Sequence, residues 1–182
     1  MNKKIKDIAI ISVAAAMICV VSPVSIPIGD IPISLATFII YLIAAIIGPK
    51  KGTISVLVYI LVGIIGVPVF SNYRAGISVI VGVTGGYIVG YIPLALLTGI
   101  FIYKCKGKIW MYPIGMILGT IVCYFIGTIW YMFNTHNNLM GSLLVCVVPF
   151  LLFDLIKIVL SSVLAYLMNK DGFFLYIICK KW

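Results

Sequence analysis

One apolar segment near the end of the chain carries an acid and a base on the same helical face. Residues 149–167 read PFLLFDLIKIVLSSVLAYL and include Asp154 and Lys157, a spacing that places both on one side of an α-helix. Either residue costs about 2.5–3.5 kcal/mol at the centre of a bilayer, and ionisable residues within spans usually mark functional sites. The pair therefore predicts a buried polar site that faces other helices. The alternative is a structural ion pair that joins two helices.

Further polar candidates lie in residues 67–83, a stretch about as long as a span but rich in turn-forming residues. Arg74, the only arginine of the chain, is either a solvated loop cation or a group that binds an anionic solute through two parallel hydrogen bonds. Asn72 offers amide donors and an acceptor to a ligand. We expect this stretch to fold as a lid over the outer end of a helix bundle.

The sequence VTGGYIVGY joins the lid to the next apolar run. Thr84 could cap the helix that follows, whose free N–H groups would favour an acceptor or an anion. Gly85 and Gly86 allow the backbone to approach a ligand or another helix closely. Small residues in membrane helices serve packing more often than ligand binding, so both interpretations stay open.

The composition indicates that lipid surrounds most of the chain. Its 182 residues are 64% hydrophobic and 9% charged, with a mean hydropathy of +1.27, whereas soluble domains are about a quarter charged. A span needs roughly 20 apolar residues, which leaves room for about six spans and little else. The net charge of +9 comes from short clusters between apolar runs. That pattern is typical of membrane topology rather than of nucleic-acid binding.

The apolar runs divide the chain into six predicted spans, which cover about 8–21, 33–47, 53–66, 84–103, 110–133 and 143–167. The basic and then apolar start is also typical of a signal peptide, but no small-x-small cleavage site follows it. We therefore expect it to be the first span. The predicted fold is an all-α membrane protein, a single domain over 1–182, with six transmembrane helices and a folded outer loop between the third and fourth.

The basic residues predict the orientation of these spans. All but Arg74 and Lys157 precede the first span, follow the sixth, or lie between the second and third or the fourth and fifth: Lys3, Lys4, Lys6, Lys50, Lys51, Lys104, Lys106, Lys108, Lys170, Lys180 and Lys181. Because basic loops stay in the cytoplasm, both termini are predicted to be cytoplasmic in a cell-membrane protein. The loops 22–32, 67–83 and 134–142 then face outward.

The sequence lacks the motifs that several kinds of chemistry require. There is no GxxxxGK[ST], so the chain is not expected to hydrolyse ATP. The single histidine, His136, lies in a polar loop, and the five cysteines form no CxxC. We therefore predict no metal site, no disulfide framework, no cofactor and no catalytic set built on histidine.

The first span contains small residues at helical spacing. Ser12 and Ala16 are four apart, as are Ala15 and Cys19, and such pairs permit close contact between helices. The contact is either internal packing or a docking face for a partner protein, and the sequence leaves that choice open.

Taken together, these runs resemble the biotin-specific substrate-binding subunits of energy-coupling-factor transporters, the BioY family. The resemblance is carried by PIGDIPISLATF, GPKKGTISVLVYILVGIIGVPVF and GVTGGYIVGY within residues 23–91, and by PFLLFDLIKIVLSSVLA. Two positions depart from the family pattern. Val83 stands where the family usually has proline, and Ala36 stands where it often has glutamine.

The resemblance implies a six-helix protein that binds a vitamin near its outer face. It also implies docking onto a transmembrane coupling protein that carries two ATP-binding subunits. In the family the acid and base of the last helix help to hold the ureido ring of the ligand, which assigns that role to Asp154 and Lys157. Asn72 is expected to add hydrogen bonds from the lid, and Arg74 to attract the valerate carboxylate. Apolar walls are expected from Phe70, Tyr73 and Tyr87.

Three other hypotheses about function are consistent with parts of the sequence. The same architecture could bind another vitamin, such as thiamin or riboflavin. Asp154 and Lys157 could form the acid–base pair of a membrane enzyme, which would require perturbed pKa values. The chain could also be an assembly subunit without a ligand, in which the pair matters only for stability.

Overall fold

The computed structural model of the chain describes residues 3–27, 31–104 and 108–170. Asp30, Cys105, Lys106, Cys179, Lys180 and Lys181 lie outside these ranges. Within them the chain forms eight α-helices: α1 (Lys3–Val21), α2 (Ala36–Ile47), α3 (Pro49–Ile65), α4 (Ile77–Val81), α5 (Gly85–Lys104), α6 (Met111–Thr135), α7 (Leu139–Cys146) and α8 (Val148–Lys170). A 3₁₀ turn at Ser71–Tyr73 precedes α4.

The described chain contains three stretches that are long and apolar enough to cross a membrane, Gly85–Lys104, Met111–Thr135 and Leu139–Asn169. Helix α2 is apolar but has only 12 residues, and α3 has 17. Helix α1 begins with four charged residues in its first five positions. The protein is therefore mainly helical with membrane-spanning helices, and the arrangement of six spans stays a prediction.

A short antiparallel pair of strands modifies the all-α prediction. Strand β1 (Ser25–Ile26) pairs with β2 (Ile33–Ser34), with Ser25 opposite Ser34. The predicted second span therefore begins as a strand, and its helix starts at Ala36. The hydroxyl of Ser34 accepts a hydrogen bond from the Ala36 N–H at 2.9 Å and donates to the Ser22 carbonyl at 2.8 Å. These bonds fix the point at which the strand ends and the helix begins.

The last apolar run is interrupted where the sequence predicted a continuous span. Helices α7 and α8 are separated at Val147, whose φ of −124° departs from helical geometry. Pro149 follows in the first turn of α8, a position that tolerates a residue without an N–H. The carbonyl of Cys146, at the end of α7, accepts a hydrogen bond from the Tyr87 hydroxyl at 2.8 Å.

Helices α5 and α6 form the most closely packed pair of the bundle. A Cβ atom added to Gly86 would lie 2.3 Å from the Cβ of Trp130, and one added to Gly127 would lie 2.6 Å from the ring of Tyr87. No larger residue fits at either position, so glycine lets the two backbones approach. Helix α5 also packs against α2 and α3, α1 packs against α3, and α2 packs against α8.

Two ends of the bundle differ in their polar chemistry. At one end, here called the basic end, Lys51 of α3 pairs with Asp7 of α1, with 2.7 Å between Nζ and Oδ1. Asn169 of α8 reaches the same end, where its amide donates to the Tyr112 hydroxyl at 3.0 Å and to the Ala45 carbonyl at 3.3 Å. The opposite end contains the lid and a mainly apolar cavity that includes Asp154 and Lys157.

Candidate ligand-binding site

A cavity of about 50 Å³ lies between the lid and four helices. Its walls come from α2, α5, α6 and α8 and from the segments 31–34 and 70–79. The α8 residues that line it are Phe150, Asp154 and Lys157, which recur at helical spacing and so share one face. The cavity therefore brings the two ionisable residues of the last helix against the lid, although the lid lies about 80 residues earlier in the sequence.

Asp154 and Lys157 form a buried ion pair. Their side chains are 7% and 10% exposed, and 2.9 Å separates Lys157 Nζ from Asp154 Oδ1. Burying either charge alone would cost several kcal/mol, so the two stay in place because each compensates the other. The Ser161 hydroxyl, on the same face of α8, donates to the Phe38 carbonyl of α2 at 3.4 Å. The polar face of α8 therefore packs against the start of α2.

All three donors of the Lys157 ammonium are used within the protein. Besides Asp154, the ammonium donates to the Ser34 carbonyl at 2.7 Å and to the Thr37 hydroxyl at 3.2 Å. Thr37 in turn donates to Asp154 Oδ1 at 3.4 Å. A lysine has three N–H donors and no acceptor, so a ligand can bind this ammonium only by replacing one of these partners.

The second oxygen of the Asp154 carboxylate has its own donor. The Tyr124 hydroxyl, from α6, donates to Oδ2 at 2.5 Å. The carboxylate therefore accepts three hydrogen bonds in total, out of roughly four lone-pair positions. One lone-pair position of Oδ2 therefore has no donor within the described part of the chain.

Thr37 and Tyr124 were not among the residues predicted from the sequence. One signal for Tyr124 was available, because a phenol near the middle of the 25-residue helix α6 has to find a polar partner in lipid. Thr37 gave a weaker signal, since a hydroxyl in a membrane helix can bond its own backbone. No signal in the sequence pointed to the Ser34 carbonyl, because every residue has a carbonyl.

Phe70 anchors the lid on α3. Its ring is 1% exposed and stacks edge-on against Tyr59, with 5.6 Å between ring centroids. A Cβ atom added to Gly63 would lie 2.2 Å from the Phe70 ring, so glycine is required beneath it. Phe70 also lines the cavity. The sequence GVPVF thus forms the base of the lid and one apolar wall.

Three other predicted residues reach the cavity with different exposures. Arg74 lies at its mouth with an exposed side chain, whose Nε donates to the Ser71 carbonyl at 3.4 Å. Thr84 is buried and donates to the Val79 carbonyl at 3.5 Å rather than capping α5 with its side chain. Tyr87 presents its ring, while its hydroxyl is bonded to Cys146.

Four predicted residues do not line the cavity. Asn72 is exposed, and its side-chain oxygen accepts from the Ser25 hydroxyl at 2.8 Å, which ties the lid to β1. Tyr73 is 69% exposed. Gly85 and Gly86 are buried, and a Cβ atom on Gly85 would lie 1.6 Å from the Ile80 carbonyl oxygen. In this geometry the two glycines serve helix packing.

The small residues of α1 divide between two faces. Ser12 and Ala16 are exposed, whereas Ala15 is 3% exposed and Cys19 is half-buried against the core. Of these four residues, only Ser12 and Ala16 are therefore accessible to a partner protein. Among the described residues, no group of three or more His, Cys, Asp or Glu side chains could hold a metal ion.

Comparisons with known proteins agree with the resemblance. The family model described as BioY family matches residues 1–172. The chain is 37% identical to the biotin transporter BioY of Thermotoga maritima over 85% of this chain and 90% of the relative. It is 32% identical to the biotin transporter BioY2 of Lactococcus lactis over 89% of each chain.

A solved structure has the same fold. The crystal structure of the S-component for biotin from an ECF-type ABC transporter superposes with a TM-score of 0.87 at 30% sequence identity. The superposition covers 96% of this chain and 97% of the other.

Proposed function

The chain belongs to the BioY family, and from this premise we propose that it captures biotin as the substrate-binding subunit of an energy-coupling-factor transporter. It is a transport component rather than an enzyme. The observation that carries the proposal is the buried Asp154–Lys157 pair, which faces a cavity beneath a lid. Ionisable residues are retained in membrane helices chiefly where they serve a ligand or a transport path.

Asp154 and Lys157 offer a hydrogen-bond acceptor and a donor that match the groups of a cyclic urea. The ureido ring of biotin offers two N–H donors and one carbonyl acceptor. The free lone-pair position of Asp154 accepts a ligand N–H, and Lys157 compensates the charge of the carboxylate. The ligand carbonyl takes the place of Thr37 on the ammonium, because the two Thr37 bonds are the longest in the network. Phe70 and Tyr87 provide apolar walls for the fused rings.

The walls of the cavity must move to admit this ligand. Pockets for small molecules usually measure about 300–1,000 Å³, far more than the cavity of about 50 Å³. The exposed hydrogen bonds between Asn72 and Ser25 join the lid to β1 and cost little to break in water. We place the entrance at this junction. Asn72 then holds the lid over the bound ligand, with Tyr73 on its outer surface.

Arg74 suits the carboxylate at the other end of the ligand. Its side chain lies at the mouth of the cavity, and its guanidinium can hold a carboxylate through two parallel hydrogen bonds. A carboxylate there lies in or near water, which lowers the cost of burying the ligand. In this orientation the ureido ring is deep and the valerate chain points outward.

In this proposal separate partner subunits hydrolyse the ATP, because the chain has no motif for ATP hydrolysis. We assign docking on a membrane coupling protein to the exposed side of α1, where Ser12 and Ala16 allow close helix contact. The basic end then faces the cytoplasm and the cavity faces outward. Replacing Ala16 with leucine is expected to abolish biotin uptake in cells that supply the partners, while biotin binding by the purified subunit is retained.

Direct binding tests the proposal. The purified protein in detergent is titrated with biotin, thiamin and riboflavin, alongside Asp154→Asn and the matched control Asp7→Asn from the basic end. We expect biotin alone to bind, at least about 30-fold more weakly to Asp154→Asn, and with parental affinity to Asp7→Asn. A folded parent that does not bind biotin refutes the function, and preference for thiamin or riboflavin identifies a different vitamin.

A further inference from the structure

Several buried tyrosines bond their hydroxyls within the protein. Four of them have hydroxyls bonded to named partners: Tyr41 to Thr120, Tyr59 to Ser22, Tyr87 to the Cys146 carbonyl and Tyr112 to Asn169. Tyr91 is 8% exposed, yet its hydroxyl makes no hydrogen bond to any residue in the described ranges. A tyrosine hydroxyl on a largely buried side chain usually finds a protein partner, so one without such a partner calls for a reason.

The position of Tyr91 supplies that reason. Its side chain lines the cavity, on the face of α5 that also presents Tyr87 and Ile88. Across the helix interface, a Cβ atom on Gly90 would lie 2.9 Å from the Cys123 sulfur. Gly90 and Cys123 are therefore level. Because α5 and α6 run antiparallel, Tyr91 and Tyr124 lie on either side of that level, about 3 Å apart along the bundle.

The Tyr124 hydroxyl reaches Asp154, and Tyr91 lines the same cavity as these two residues. We infer that the Tyr91 hydroxyl is a further ligand-binding group, which hydrogen-bonds the cyclic-urea end of the ligand beside Asp154. The inference rests on the proposed function and adds a hydrogen-bonding group from α5 to the polar groups of the site that α2, α6 and α8 supply. A hydroxyl both donates and accepts, so it suits the mixed donors and acceptor of a urea.

Removing this hydroxyl should affect binding and leave folding intact. Tyr91→Phe keeps the ring and deletes only the oxygen, so we expect biotin to bind roughly three- to tenfold more weakly. The thermal midpoint of the protein without added biotin should be unchanged or higher, because the hydroxyl has no partner to lose.

Tyr112→Phe is the matched control at the basic end. Its hydroxyl accepts from Asn169 and lies far from the cavity, so we expect a lower thermal midpoint with parental affinity for biotin. Both variants are titrated with biotin and with biotin methyl ester, whose tail carries no charge. The factor lost in Tyr91→Phe should be the same for the two ligands, because the hydroxyl binds the ureido end.

Each outcome decides a separate point. If the parent binds biotin and Tyr91→Phe binds it equally well, this inference is wrong while the proposed function stands. A loss confined to the free acid would place the hydroxyl at the tail and also refute it. Equal losses of affinity in Tyr91→Phe and Tyr112→Phe would indicate a general structural effect. A folded parent without biotin binding overturns the function, and this inference with it.

Discussion

The molecule contains two Asp–Lys pairs that differ mainly in what surrounds them. The Asp7–Lys51 pair joins α1 to α3 at the basic end, with side chains 35% and 26% exposed and 2.7 Å between the charged atoms. The Asp154–Lys157 pair is longer, at 2.9 Å, but its side chains are only 7% and 10% exposed. Distance alone would rank the surface pair as the stronger.

The surroundings reverse that ranking. Water solvates and screens the charges of the surface pair, so such pairs contribute about 0–1 kcal/mol. Removing one member of a buried pair costs about 3–5 kcal/mol, because the other charge stays buried without compensation. The buried pair also binds groups from α2 and α6. A change at this pair should therefore affect helix packing and, under the proposed function, ligand recognition.

Loss of one buried charge is expected to have the largest effect on stability. Lys157→Met should lower the free energy of unfolding by about 3–5 kcal/mol, because it leaves the Asp154 carboxylate buried without its cation. Lys51→Met should lower it by about 1 kcal/mol or less. Helicity measured by circular dichroism during unfolding in mixed micelles compares the two. Similar losses in both variants would contradict the difference between the pairs.

Neutralising both buried partners should restore much of that stability. Asp154→Asn combined with Lys157→Met leaves no buried charge, so its unfolding free energy should return to within about 2 kcal/mol of the parent. Biotin binding should stay lost, since neither a carboxylate nor an ammonium remains. A double variant as unstable as Lys157→Met would show that the charges are not the cause.

The donor to the second carboxylate oxygen has a smaller expected effect. Tyr124→Phe removes the hydrogen bond to Asp154 Oδ2 and should cost about 1–3 kcal/mol of stability. Biotin affinity should fall roughly tenfold, because the carboxylate loses one of the bonds that orient it. Unfolding and titration of the same preparation measure both. An unchanged affinity would mean that Tyr124 does not position Asp154 for the ligand.

The smallest expected effect is that of salt on the contribution of each pair to stability. Raising sodium chloride from about 0.02 M to 0.5 M shortens the Debye length from roughly 20 Å to 4 Å. The stability difference between the parent and Lys51→Met should then disappear. The difference between the parent and Lys157→Met should persist, since buried pairs are screened much less. Loss of both differences would indicate that water reaches the Asp154 pair.

Much of the helical pattern could be predicted from the sequence. The spans predicted from about 84 and 110 correspond to helices that begin at Gly85 and Met111, because long apolar runs define helices in lipid. The break at Val147 could not be predicted with the same certainty. A proline in a membrane helix bends or breaks it according to which groups satisfy the freed backbone. Here the Cys146 carbonyl is satisfied by Tyr87, which lies 59 residues away.

For a similar reason, the sequence could not indicate which of the candidate residues line the cavity. Asp154, Lys157, Arg74, Phe70, Thr84 and Tyr87 line the cavity, while Asn72 and Tyr73 lie on the exposed surface of the lid. The fold of a short loop depends on contacts with other segments, so its sequence does not indicate which side chains point inward. Gly85 and Gly86 pack against neighbours that the sequence could not identify.

By itself the sequence determined that the chain lies in lipid and that Asp154 and Lys157 share a face and need partners, and it predicted that the basic clusters lie at one end of the bundle. Those properties follow from composition and from the helical repeat, which are local. Only the tertiary structure decided which groups bond to these two side chains. Thr37 and the Ser34 carbonyl come from 117 and 123 residues away, and Tyr124 comes from 30 residues away. Contacts between helices depend on how whole faces pack, so no local pattern specifies them.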